Sequence, residues 1–257
     1  MIREFWTENY LSIRTRQTMN FEIDGDNDEW MSSEVAAGVR ISRIGIVFGA
    51  NASGKSNMLK AMQNVFELLF IAGNNRNEQV HSNMPFALTP DDPTKMFVSF
   101  YADGIRYDYF ITYVKSHIIE EKLLYYPNKS KSLFYERHFV GDDIQCNIKF
   151  GTSVGVRTKT LNILRENTLN NHSVLSTYSK VSLADDADKI AALYNWIKTH
   201  VHGVKNDAPD LATLLKNVAA NDNKKRFFLE MLKKADFNIS NFNVSLDDNV
   251  EFVNTSE

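Results

Sequence analysis

A single cysteine, Cys146, stands in 257 residues. One thiol builds neither an intrachain disulfide framework nor a cysteine zinc cluster, and it fits a reducing compartment. Proline and glycine are also sparse, at 5 and 11, which excludes collagen-like and low-complexity chains. Long hydrophobic runs are missing. The start, MIREFWTENYLSIRTRQ, mixes charges among its apolar residues and has no secretory core, and no later stretch approaches a membrane span. A cytoplasmic protein with no membrane contact is expected. Charge of one sign is lacking as well: the formal net charge is −3, so no global field draws nucleic acid and only a local patch could do so. No internal repeat of solenoid length is found. What remains is a globular composition, 43% hydrophobic and 24% charged, long enough for one large domain or two modest ones.

Periodicity orders the chain. Residues 2 to 23 read as a hairpin, with Phe5, Leu11 and Ile13 on one parity and Met19, Phe21 and Ile23 alternating. The polar stretch Asp24 to Glu34 reads as a surface loop, and RIGIVF, Arg43 to Phe48, as a buried strand. Leu59, Met62, Phe66 and Leu69 recur at helical spacing, and Gly73 to Glu78 stops that helix. From Met96 to Val114 the turn pair Asp103-Gly104 divides a hairpin whose second strand alternates Ile105, Tyr107, Tyr109, Ile111, Tyr113. That spacing assigns the tyrosines to a sheet rather than to base stacking. IIEEKLLYY, SLFYERHF and DIQCNIKF extend the antiparallel meander to about Phe150.

Beyond Thr160 the period becomes helical through Ile190, Leu193 and Ile197, then a helix opened by Pro209, then Phe227, Phe228, Met231 and Leu232. Alternation returns at Phe242, Val244 and Leu246. The expected organisation is a nucleotide-binding lobe over residues 1–158, a helical insertion over 159–237, and the start of a C-terminal lobe over 238–257.

The chemistry concentrates in Gly49-Ala50-Asn51-Ala52-Ser53-Gly54-Lys55-Ser56, a full match to G-x-x-x-x-G-K-[ST] between a predicted strand and a predicted helix. Amides at such a junction converge on phosphate oxygens. Gly49 and Gly54 permit backbone angles and close approach that a β-carbon obstructs. Lys55, the one residue given a catalytic role, sets a positive charge against the β- and γ-phosphates, and Ser56 ligates magnesium. With Asn57 added, residues 49 to 57 form the expected ATP and Mg2+ site. Phosphoryl transfer also needs an acid near the metal. The two acidic pairs that follow apolar stretches, ending at Asp186 and at Asp248, suit helix-capping and loop roles better.

The phrases FWTENYLSIRTRQTMNFEI, IGIVFGANASGKSNMLKAM and MPFALTPDDPTKMFVSFYADGIRYDYFITYV resemble the N-terminal half of an AAA-family ATPase with an ABC-type head. The similar families are RecF-like, SMC-like and OLD-like, including abortive-infection and antiphage ATPases. The resemblance implies an α/β P-loop NTPase fold, with a mixed head sheet, an antiparallel β-subdomain and a helical insertion. It also implies ATP hydrolysis upon head-to-head homodimerisation, in DNA maintenance or phage defence. A second reading is a nucleotide-gated scaffold that does not hydrolyse and that regulates an associated nuclease or toxin. Departures are specific. Asn9-Tyr10-Leu11-Ser12 stands where many RecF-like chains carry Asn-Phe-Arg-Ser, so no N-terminal arginine contact is carried over. Neither Gln79 nor Met84-Pro85-Phe86 is assigned as the glutamine loop. The family's signature motif, acidic pair and switch histidine belong to its C-terminal half and are not found before Glu257, which implies an incomplete head.

Other candidates carry less. His200-x-His202 invites a metal, but two histidines two apart on a helix end diverge, and a solvated terminus is expected. His81, His117, His138 and His172 are assigned no chemistry. Lys224-Lys225-Arg226 and Lys233-Lys234 flank an apolar helix face and read as a solvated face rather than a DNA contact. A small-molecule kinase would need an acceptor pocket and an arginine-rich lid, and neither is visible.

Overall fold

The alternating runs pair into sheets, and the strands that bury one face also hold the helix that follows the glycine-rich loop. The computed structural model describes residues 1–23, 31–141, 147–183, 187–203, 211–234, 239–244 and 250–254. In chain order come β1 (Ile2–Glu8), β2 (Gln17–Asn20), β3 (Glu22–Ile23), β4 (Ser32–Ala36) and β5 (Val39–Ser42), then helix α1 (Lys55–Phe70). The meander follows as β6 (Thr94–Ala102), β7 (Ile105–Tyr113), β8 (Ile118–Tyr125), β9 (Ser132–His138) and β10 (Asn147–Phe150). After it come α2 (Thr158–Asn167), α3 (Asp188–His200), α4 (Leu211–Ala219), α5 (Asp222–Lys234), β11 (Ile239–Val244) and β12 (Val250–Asn254). Two compact units result, Met1–Val204 and Lys205–Glu257. The division falls inside the 159–237 helical stretch.

In the first unit a seven-stranded sheet runs in the order β10-β9-β8-β7-β6-β1-β2, and a three-stranded sheet in the order β3-β5-β4. Every described pair is antiparallel, so the parallel pairs that a mixed sheet requires are not among the described residues. The β6–β7 hairpin turns at Asp103 and Gly104, both at positive φ (47° and 76°), the backbone that this dipeptide supplies most readily. One face of the sheet buries Phe5, Val98, Phe100, Tyr109, Ile111 and Tyr113 with Ala61, Val65, Leu68 and Leu69 of α1. The tyrosines of β7 are therefore core residues, as their spacing predicts.

A single cross-strand row on the other face explains how that face is finished. Trp6, Phe97, Phe110, Lys122, Glu136 and Lys149 are successive partners from β1 through β6–β10. Trp6 stacks on Phe97 (5.7 Å) and Phe97 meets Phe110 (4.5 Å), while Arg16 lies 3.8 Å over the Trp6 ring. The row then becomes ionic, Glu136 accepting from Lys122 at 3.0 Å and Lys149 at 3.4 Å.

Two strand expectations fail. Ser32–Glu34, read as loop, opens β4 against β5. Arg43–Phe48, read as a buried strand, forms no strand: β5 ends at Ser42, whose Oγ donates to the Ile44 carbonyl (2.7 Å), and residues 43–48 are exposed. Apolar content alone does not make a strand, because its amides need a neighbouring strand, and none lies alongside among the described residues.

A buried polar cluster ties β7, β8 and β9 to the loop after α2. Glu121 pairs with Arg137 at 3.2 Å, both almost wholly buried. Its Oε1 also accepts from Tyr135 Oη (2.7 Å) and Tyr109 Oη (3.1 Å), and the Val174 amide donates to the same carboxylate. Burial pushes the Glu121 carboxyl up, opposed by Arg137 and these donors. Nearby, His172 is 2% exposed. Burial, reinforced by Arg137 and Lys180, drops its pKa to about 3.

A stability dependence follows from that depressed imidazole. An unfolded chain protonates His172 near its ordinary value of ~6.5, whereas the folded chain stays neutral down to about 3. Acid therefore favours unfolding in that window. The contribution is complete above the unfolded value and declines as pH falls, by at most about 1.4 kcal/mol per unit. Urea unfolding at pH 7 and pH 5 is expected to show a loss attributable to this residue of roughly 2 kcal/mol. The His172→Gln chain should lack that portion of the slope, and identical slopes in the two chains would count against the assignment.

Candidate phosphate-binding site

The glycine-rich stretch bends where its sequence requires. Gly49 sits at φ 155°, Ala52 at 62° and Gly54 at 91°. Helix α1 starts immediately afterwards, and Met58 N–H to Gly54 O (3.0 Å) ties in its first turn. The amides of Lys55, Ser56 and Asn57 thus emerge at the positive end of the helix macrodipole with no intrahelical carbonyl to meet. Lys55 Nζ reaches back across the loop and donates to the carbonyls of Gly49 (2.8 Å) and Ala50 (2.7 Å). The ammonium is thereby folded back onto the start of the loop.

The residues present fit an anionic phosphate chain. A β-carbon at position 54 would lie 3.1 Å from Ser12 Oγ, and one at 49 would lie 3.3 Å from Ser53 Oγ. Both glycines therefore supply space as well as backbone freedom. Gly49 to Asn57, all nine predicted residues, are brought together in one loop and first helical turn, and Ser56 is exposed.

The structure adds a second wall that sequence spacing did not assign to the site. A groove of about 560 Å³ runs between the loop and the β1–β2 connection, lined by Ser12, Arg14, Gln17 and Thr18 on one side and by Ser53, Gly54 and Lys55 on the other. Ser12 accepts from Asn57 Nδ2 at 2.8 Å, which fixes the connection to α1. The same connection is anchored at its other end by Asn9, held at φ 54°. Its amide nitrogen donates to the carbonyls of Asp92 (2.7 Å) and Thr89 (3.2 Å), while Oδ1 accepts from Thr89 Oγ1 (2.6 Å). The phrase Asn9-Tyr10-Leu11-Ser12 is thus a clamp with one hold on α1 and the other on residues 89–92. No local pattern marks Arg14, Gln17 or Thr18, because their placement depends on a pairing with residues some 40 positions later.

A scan against family models matches residues 45–242 to the family described as "AAA domain, putative AbiEii toxin, Type IV TA system". The chain belongs to that AAA-domain family. A P-loop ATPase family is what this match supports, and nucleotide is the ligand class that the family implies. No curated protein matches the chain.

Within this AAA domain the remaining candidates separate. Asp186 and Asp248 lie outside the described residues. Among the described residues no group of three or more His, Cys, Asp or Glu is placed to hold a metal, and no helix is long and apolar enough to cross a membrane. Lys224 and Arg226 are exposed, while Lys225 lies 5.1 Å over the Phe242 ring and packs rather than projecting freely. Phe227 and Met231, expected on a buried helix face, are 64% and 54% exposed. His200 and His202 are both exposed at the end of α3, the solvated terminus that the sequence predicts. Helix α3 ends at His200, Val201 is extended, and both imidazoles line one cavity.

Proposed function

We propose that this chain is the ATP-binding half of an ABC-type AAA-family ATPase of the RecF-like, SMC-like or OLD-like kind. The carrying observation is the glycine-rich loop: amides at a helix start, two positive-φ glycines, and the Lys55 ammonium folded back onto the Gly49 and Ala50 carbonyls. Gly49 to Asn57 would hold the triphosphate, Lys55 would offset its negative charge, and the Ser56 hydroxyl would complete a Mg2+ shell. The groove beside Ser12 and Arg14 extends the site beyond the phosphates. Bound magnesium-nucleotide would supply the electrophilic phosphorus. The contribution of this chain is to orient it and balance its charge before and during transfer.

In this reading the protein works in the cytoplasm as a homodimer, joined head to head. Each protomer's C-terminal half closes the other's site, and hydrolysis requires that half. The pathway is DNA maintenance or phage defence, with DNA or an effector nuclease or toxin as partner. The toxin and antitoxin words in the family's description support a second reading, in which nucleotide gates such an effector without turnover. Phosphate release by the intact gene product separates the two.

Binding itself is tested by titrating Mg-ATP against the chain and a Gly54→Val version. Valine at φ 91°, with its β-carbon against Ser12, should close the loop and weaken binding by at least about tenfold, equivalent to ~1.4 kcal/mol, with the circular dichroism spectrum retained. Equal affinities would remove the basis of the proposal.

A further inference from the structure

A cavity of about 440 Å³ opens beside α1, and none of residues 49–57 lines it. Leu59, Met62 and Phe66 of α1 form an apolar wall, and Trp196 of α3 faces them. Its size lies in the range of small-molecule sites, roughly 300–1,000 Å³.

The aromatic wall is held flat. Tyr107, Phe100, Trp196 and His200 stack in sequence, with ring centroids 5.6, 5.8 and 4.8 Å apart and interplanar angles of 20°, 21° and 9°. The stack runs from the sheet core to the cavity and fixes the plane of Trp196 between Phe100 and His200, so that the indole edge is what it offers to an occupant. His200 Nδ1 is engaged with the Trp196 carbonyl (3.0 Å) and Thr199 Oγ1 (2.9 Å), which leaves Nε2 as the ring nitrogen available to a ligand. His202 lines the same cavity, and among the described residues no carboxylate does. Apolar walls with imidazoles as the only titratable side chains complement a ring that carries a negative group.

We propose that this cavity is a binding site for a small aromatic carboxylate, its ring among Leu59, Met62 and the edge of Trp196 and its carboxylate toward His200 and His202. The site is separate from the phosphate loop and stands whether or not the loop binds nucleotide.

Calorimetric titration of the full chain with 2-naphthoate, and with 2-naphthalenemethanol as its uncharged analogue, tests this. The carboxylate should bind at one site, at least fivefold tighter than the alcohol. Met62→Trp, which fills the cavity, should weaken both by tenfold or more. His200→Gln combined with His202→Gln should reduce the carboxylate to the affinity of the alcohol and leave the alcohol unchanged. Should Met62→Trp fail to fold, Leu59→Phe provides a milder filling. In the unaltered chain, magnetisation transfer from naphthoate should reach the Trp196 indole. Absence of binding, binding indifferent to cavity filling, contact away from Trp196, or a carboxylate preference that survives loss of both imidazoles would each overturn the proposal.

Discussion

A Lys55→Ala chain is expected to bind Mg-ATP about 100-fold more weakly than the unaltered chain, a loss of ~2.7 kcal/mol, while unfolding at the same urea concentration. The two halves of that expectation come from different parts of the structure. Lys55 bonds only to the Gly49 and Ala50 carbonyls of an exposed loop, and water replaces such bonds at little cost. Against a triphosphate the same ammonium makes charge-assisted contacts worth roughly 1.5–3 kcal/mol, and the helix-start amides cannot replace its full charge. The affinity remaining without Lys55 should also depend less steeply on salt, since one counter-charge has gone. An affinity within threefold of the unaltered chain, measured by calorimetry at fixed ionic strength, would remove Lys55 from the phosphate site.

The largest stability effect is expected at the buried ion pair. Glu121→Ala strips Arg137 of its carboxylate and leaves Tyr109, Tyr135 and the Val174 amide without a shared acceptor. Breaking one side of such a pair typically costs about 3–5 kcal/mol, a large share of a domain's stability. Glu121→Gln keeps one oxygen acceptor and should cost less. Replacing both partners, Glu121→Met with Arg137→Met, should recover much of the single-variant loss, since no charge is then stranded. Urea unfolding of these chains, together with Glu121→Met alone and Arg137→Met alone, checks the ordering. A double variant as unstable as the sum of its singles would mean that the two side chains act independently.

How much of this was legible in the sequence follows from which interactions are local. Alternation marks the meander because period two requires only that one face be buried, and it located β6–β9 and the Asp103-Gly104 turn correctly. The glycine-rich motif needs residue types only at fixed short spacing, and the structure gives it the positive-φ glycines and the helix start that its spacing predicts. Non-local pairing was not legible. Arg43–Phe48 carries the composition of a buried strand, but composition does not report whether a partner strand is there to meet it. The groove wall at Arg14, Gln17 and Thr18 has no local signature for the same reason. Glu121 did leave a trace: it shares the parity of Leu123 and Tyr125, both buried, and a charge at a core position signals a buried partner. His200 closes α3 and both it and His202 are exposed, the solvated terminus that the sequence predicts, whereas the cavity that both border depends on packing between distant segments and has no local signature.

The segment leading into the phosphate loop has a practical outcome. Ile44, Ile46, Val47 and Phe48 are 57%, 77%, 37% and 86% exposed, in a run that carries no charged residue between Arg43 and Lys55. Such a ribbon is adhesive toward any extended chain with open amides. Self-association during expression and storage is therefore expected to involve these greasy side chains beside the glycine-rich loop, with Arg43 as their nearest electrostatic guard.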